Sequence, residues 1–154
     1  MNLWDWAVAA YGAPGVADAC LALQDHHEQN VPLLLWSAWI AQTGRRPDEE
    51  TIEAACDTAR AWDGVVTAPL RAVRRTLKAP VPDIDDGPRE AVRQRIKAVE
   101  LEAEKHLLAA LEALAPAPGG PPRPVIDGLA ATTRVWSRVT PRPALVRLAE
   151  ALPA

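Results

Sequence analysis

Residues Leu3–Ala41 read LWDWAVAAYGAPGVADACLALQDHHEQNVPLLLWSAWIA, and this stretch sets the fold class. Its apolar residues recur at helical spacing, and nowhere do β-branched residues alternate with polar ones over the length of a strand. A first helix is expected over Leu3–Tyr11, capped by Asn2 with Asp5 three residues on, and stopped by the Gly12-Ala13-Pro14-Gly15 turn. A second is expected over Val16–Gln29, with Val16, Cys20, Leu23 and His27 on one face. Asn30 and Pro32 end it. The third, Pro32–Thr43, carries Leu33, Leu34, Leu35, Trp36, Ala38, Trp39 and Ile40 and is apolar almost all round. A helix without a polar face belongs inside the molecule, so this one is predicted to be the buried centre of the fold. Gly44 is its natural left-handed terminator.

Beyond Gly44, a fourth helix is predicted from Asp48, with acids at its positive end and an apolar stripe of Ile52, Ala55, Cys56, Ala59, Trp62, Val66, Leu70, Val73 and Leu77. Pro69 interrupts its hydrogen-bond ladder and should kink it, with Thr67 placed to cap the second half. After a polar loop with Asp83, Asp85 and Asp86, which read as caps, Pro88–Leu114 forms the fifth helix, with Val92, Ile96, Val99, Ala103, Leu107, Ala110 and Leu114 as its stripe. The expected architecture is all-α: a compact bundle of about five helices around a buried central helix. Residues 1–115 form a helical core domain, 116–124 (PAPGGPPRP from Pro116) a Pro/Gly-rich linker, and 125–154 an accessory helical tail with two short helices over Ile126–Val139 and Pro143–Leu152. That tail is expected to be less ordered than the core or to dock as a lid.

Composition bounds the function. A chain of 154 residues can bury a core without disulfides. A net charge of −3 supplies no global field toward nucleic acid, and no basic face is interleaved with aromatics, so a nucleic-acid partner is not expected. The longest apolar run, Val31–Ala41, is too short to span a bilayer. The start MNLWDW has neither a basic nor an apolar leader region, so a cytoplasmic protein with Cys20 and Cys56 reduced is expected. Aromatic usage is lopsided, with six Trp, one Tyr and no Phe.

Several residue sets carry chemistry. Arg71, Arg74, Arg75 and Lys78 are spaced i, i+3, i+4, i+7 and share a helix flank. They gather cationic forks for a phosphate, a carboxylate or an acidic partner. The competing reading laces Arg71 and Arg74 to Glu100 and Glu104 of the fifth helix, beside Lys97, as surface ion pairs. Trp39 and Trp62, with Trp4, Trp6 and Trp36, either line a flat-ligand pocket or fill the core; a buried indole N–H needs an acceptor, for which Gln24 and Asp25 stand in the right place. Cys20, Cys56, Asp25, His26, His27, Glu28, Glu102 and His106 assemble on paper into metal sets, but neither Cys-x-x-Cys nor Glu-x-x-His spacing occurs, so no metal is expected. His27 reads as a satisfied core histidine. No nucleophile elbow, phosphate-cradling loop or Ser/His/Asp set appears, and no cofactor is expected.

Ordered blocks carry a resemblance: Trp4-x-Trp6, Tyr11-x-x-Pro14-Gly15-Val16, Cys20-Leu21-x-Leu23-Gln24-Asp25, Val31-x-x-Leu34-Leu35-x-x-x-Trp39, Trp62, Pro69-Leu70-Arg71-x-x-Arg74-x-x-Leu77-Lys78 and Lys97-x-x-Glu100-Leu101-x-Ala103-Glu104. From Leu3 to about Leu114 the chain resembles a proteobacterial family of short hypothetical proteins known as a domain of unknown function. The resemblance implies a bacterial, single-domain, helical protein and transfers no activity.

Two functions are then in contention. One is a non-enzymatic protein acting by contact with an unknown protein partner through exposed tail residues such as Trp136 and Arg138, or with a second copy through Trp4 and Trp6. The other is a binder of, or enzyme on, a small anionic amphipathic ligand held by Arg71, Arg74, Arg75 and Lys78 beside a pocket lined by Trp39 and Trp62. The second requires a cavity between the third, fourth and fifth helices.

Overall fold

A computed structural model describes all 154 residues, and every regular element in it is helical. The expected N-terminal signals operate. Asn2 caps α1 (Leu3–Tyr11) by accepting the Asp5 N–H at 2.8 Å, and Gly15, at φ +83°, starts α2 (Val16–His27). The two helices meet at 98°. α2 stops at His27, two residues short of the expected Gln29, because Glu28 turns left-handed at φ +52°, and Asn30 begins the next helix: its Oδ1 accepts the Leu33 N–H at 3.0 Å and caps α3 (Val31–Gln42). Every residue of α3 from Val31 to Ala41 is buried, and α1, α2, α4, α6 and α7 pack around it. No single helix is long and apolar enough to cross a membrane.

Asp48 caps α4 (Glu49–Trp62) through the Thr51 N–H, and Ile52, Ala55, Cys56 and Ala59 bury the expected stripe. Beyond Trp62 the expectation of one kinked helix fails. The chain widens into a π turn over Asp63–Thr67 and resumes as α5 (Ala68–Thr76), with Pro69 in its first turn. The π turn accommodates Pro69, which has no N–H to donate. Thr67 does not cap α5; its hydroxyl donates to Asp63 Oδ1 at 2.7 Å. The extra residue per turn also rotates the apolar stripe, so α5 buries nothing and Val73 lies about half exposed.

α6 (Asp86–Leu114) begins two residues before Pro88, with Asp85 in the cap position but making no side-chain cap bond. It buries Ala103, Leu107, Leu108 and Leu111, while Val92 and Val99 stay exposed. Ala110 and Leu114 are exposed as well and Ile96 is half-buried, so of the expected stripe only Ala103 and Leu107 reach the core.

The C-terminal segment is integral to the packing, which corrects the expectation of a loose tail or lid. α7 (Val125–Trp136) makes the most extensive contact with α3, and α8 (Arg142–Ala151) packs on α2 and α7. Leu129, Leu145, Leu148 and Leu152 belong to one hydrophobic cluster with Leu3, Val16, Trp36 and Leu107. Gly128 permits the close approach of α7: a Cβ there would lie 2.8 Å from the Ser37 carbonyl oxygen. The 116–124 segment is also tied down. Gly44, at φ +67°, accepts the Gly119 and Gly120 N–H groups on its carbonyl, and Arg45 and Arg46 donate to the Pro116 and Pro121 carbonyls, each at 2.7 Å. Packing thus runs across the division drawn at 116–124.

Candidate functional site

The π turn positions the site. Inserting one residue rotates everything after it by about 100° relative to an uninterrupted helix. The result is that Thr67, Arg71 and Arg74 face inward, toward α1, α2, α3 and α6. These elements do not close on one another. They flank a cavity of ≈ 580 Å³, half open to solvent and within the usual size range for small-molecule sites. One side is apolar: Trp4, Val8 and Tyr11 of α1, Leu35 of α3, and Leu101 and Leu108 of α6. The other end is polar, formed by Gln24, Thr67, Arg71, Arg74, Glu100 and Glu104.

That polar end continues into a second pocket of ≈ 220 Å³, to which Glu28, Gln29, Asn30, Asp63 and Trp136 contribute. Gln24, Val31, Pro32, Thr67, Arg71 and Glu104 line both spaces, so Arg71 and Glu104 stand at the junction between an apolar chamber and a polar one.

The charges at the junction are unequally engaged. Arg74 Nε donates to Glu100 Oε2 at 2.6 Å, a charge-assisted bond that pairs the two charges. Arg71 approaches Asp63 Oδ1 only to 3.7 Å, beyond hydrogen-bond range, and its side chain is 22% exposed. Arg71 is thus ion-paired with Asp63 but hydrogen-bonded to no protein acceptor, and it lines both pockets. Glu104 makes neither an ion pair nor a hydrogen bond, although its carboxyl lies partly buried on the same wall. Burial raises its pKa above the ordinary glutamate value, the Glu100 charge adds to the rise, and Arg71 and Arg74 oppose it. Tyr11, across the cavity, is likewise pushed up by burial, then by Cys20, Glu104 and Asp18.

The other expected site residues disperse. Arg75 leaves the cavity and pairs with Asp25 at 3.2 Å on the surface; Lys78 and Lys97 make no ion pair. Of the lacing expected between α5 and α6, Arg74–Glu100 forms and Arg71–Glu104 does not. Gln24 lines the cavity; Asp25 does not. Neither serves an indole. The Trp6, Trp62 and Trp136 N–H groups bond Gln42 Oε1, the Ala103 carbonyl and the Glu28 carbonyl at 3.0, 3.0 and 2.9 Å, while those of the buried Trp36 and Trp39 meet no protein acceptor. Trp39 and Trp62 fill the core and its margin instead of lining the cavity, and the Arg45 guanidinium lies 4.2 Å from the Trp39 ring centroid. Trp136 is packed rather than exposed, with the Arg60 guanidinium 4.4 Å from its ring centroid. His27 is exposed, because the chain turns left-handed at Glu28 before the helix can carry it inward. Cys20 and Cys56 are buried free thiols, pushed up to about 12 and about 11 by burial, and no three His, Cys, Asp or Glu side chains converge as a metal site.

Of the apolar wall, sequence reasoning named only Trp4 and missed Val8 and Tyr11. Trp4, Val8 and Tyr11 recur at i, i+4 and i+7 along α1, a second stripe beside the buried Leu3, Ala7 and Ala10. Two stripes on so short a helix are the signal that could have found it, since the core can take only one of them.

A family model described as "Protein of unknown function (DUF2390)" matches residues 2–111, and the chain belongs to that family. No curated protein and no solved structure matches it. The matched span contains every residue that lines the larger cavity and stops before α7 and α8.

Proposed function

We propose that this protein binds a small anionic amphipathic molecule, with its apolar body in the chamber between α1, α3 and α6 and its head group on Arg71. The observation that carries this reading is an arginine with no hydrogen-bonded acceptor at the polar end of an otherwise apolar cavity. A partly buried cationic fork gains from an anionic acceptor, and a charge-assisted hydrogen bond contributes about 1.5–3 kcal/mol. The apolar wall supplies the rest through burial of ligand surface. For the alternative of action by protein contact, Trp136 is hydrogen-bonded and stacked within the fold, while Arg138 remains exposed. We place the protein in a reducing cytoplasm, where Cys20 and Cys56 stay as thiols.

The test uses 8-anilinonaphthalene-1-sulfonate, a fluorescent amphipathic anion. Saturable binding at one probe per chain is expected, weakened about 10- to 100-fold in Arg71→Ala, in keeping with the loss of one charge-assisted bond. Val8→Trp, which fills the cavity from its exposed rim, should abolish it. Absence of saturable binding, or binding indifferent to both substitutions, overturns the proposal.

A further inference from the structure

Arg71 and Glu104 together specify the head group more narrowly than a cavity and a cation would. Both lie on the wall common to the two chambers, and neither is hydrogen-bonded within the protein. One offers only donors; the other is a carboxyl in a place that resists its ionisation. A ligand that satisfies both must accept from a guanidinium and from a carboxylic O–H at once.

We propose that the ligand is a monocarboxylic acid with an apolar body, its carboxylate held on Arg71 while it shares one proton with Glu104. This rests on the reading of the cavity as an anion-binding site. A carboxylate has two oxygens, one for the guanidinium fork and one for the Glu104 O–H, and so completes both groups. An ammonium head would be set against Arg71. A dianionic phosphate would face Glu100, Glu104 and Asp63 with two arginines that each already pair with a carboxylate, Arg74 with Glu100 and, more loosely, Arg71 with Asp63. Opposite charges in a low-dielectric wall are attractive, but two bare carboxylates in contact are not, so binding must bring a proton to the pair.

The charged and titratable groups that face Glu104 are Arg71 and Arg74 from α5, Glu100 one turn before it on α6, Asp63 from the π turn, Glu28 after α2, Tyr11 from α1 and Cys20 from α2. Only Glu104 among them combines a raised pKa with a place on the wall shared with Arg71 and a starting value below neutrality. Tyr11 and Cys20 rise from ordinary values of 10.0 and 9.0 and stay neutral throughout. Uptake of one proton with the ligand makes affinity rise as pH falls, by up to about tenfold per pH unit.

The experiment is calorimetric titration of decanoate into the full chain at pH 6, 7 and 8, with decylammonium as a matched cation and 8-anilinonaphthalene-1-sulfonate as the reporter of the cavity itself. Decanoate is expected to bind one per chain and to tighten as pH falls, while decylammonium does not bind. Glu104→Gln, which keeps a donor at that position and removes the titration, should hold decanoate at pH 8 at least as well as the native chain and lose the pH slope. A slope absent from the native chain, a slope that survives Glu104→Gln, or decylammonium binding as tightly as decanoate overturns the assignment of the head group. If the fluorescent probe binds through Arg71 while decanoate shows no slope, only this inference fails. If neither probe nor decanoate binds at any pH, the anion-binding reading fails with it.

Discussion

Among single residues, Arg71 and Glu104 matter most, two groups that the fold brings to one wall without pairing them. Their consequences extend to stability. Glu104 has a folded pKa raised above 4.5, its ordinary value, so between the two values the native state holds a proton that the unfolded chain has released. Its neutral form is the one the fold tolerates. The stabilisation is therefore fully present below the unfolded value and is lost as pH rises through the folded one. Thermal unfolding of Glu104→Gln against the native chain should show the variant the more stable at pH 8 and the difference closing toward pH 4.5. A difference constant across that range would mean that Glu104 is not desolvated. Part of this arrangement is legible in the sequence. Arg71, Arg74, Glu100 and Glu104 stand out as facing charges at compatible spacing, but which pairs close is set by rotations that side-chain periodicity does not carry. Indole partners are still less legible: two are backbone carbonyls, which any residue supplies.

Among elements, the π turn at Asp63–Thr67 is the part that makes a site from an ordinary helical hairpin. Pro69 announces an irregularity, and a kink is the simpler expectation; a widened turn accommodates the same missing donor while changing the phase of the helix beyond it. That phase change explains why the expected stripe holds through Ala59 and fails at Val73. Gly64 sits in the turn with open space where a Cβ would be. Deleting Gly64 should remove the extra residue of the turn and rotate Arg71 and Arg74 about 100° away from the cavity. Because α5 buries no residue, helicity by circular dichroism should stay close to native, while affinity for the anilinonaphthalene probe falls by at least the Arg71→Ala factor. Native affinity in the deletion variant would show that the π turn does not place the site.

For the molecule as a whole, α3 is legible because a helix without a polar face has only one place to go. The parts packed around it are not. Nothing in the Pro/Gly-rich composition of 116–124 signals that Gly44, Arg45 and Arg46 bind its carbonyl and amide groups, or that Gly128 lets α7 lie directly on α3. The family match ends at residue 111, yet the core it leaves behind is open on the side that α7 and α8 cover. A chain ending at Ala115 would lose the burial of Leu129, Leu145, Leu148 and Leu152 and expose the face of α3 beneath them. At about 1.5–3 kcal/mol for each buried leucine, that loss is comparable with the whole stability of a domain of this size. The truncated chain should show no cooperative thermal transition; melting at the native temperature would make the C-terminal helices dispensable.

Occupation of the cavity by an anionic amphipath lying against α1 can be read from the tryptophans themselves. Their six indole N–H resonances, assigned by single Trp→Phe substitutions, report on six places in the fold during a titration with decanoate. Trp4 lines the cavity, whereas Trp36 and Trp39 lie in the core, Trp6 and Trp62 are bonded to Gln42 and to the Ala103 carbonyl, and Trp136 borders only the polar chamber. A saturable shift at Trp4 that disappears in Arg71→Ala, with Trp36 and Trp39 unmoved, is the expected result. A titration in which Trp4 stays still, or in which all six resonances drift together, would contradict the assignment of this cavity as the binding site.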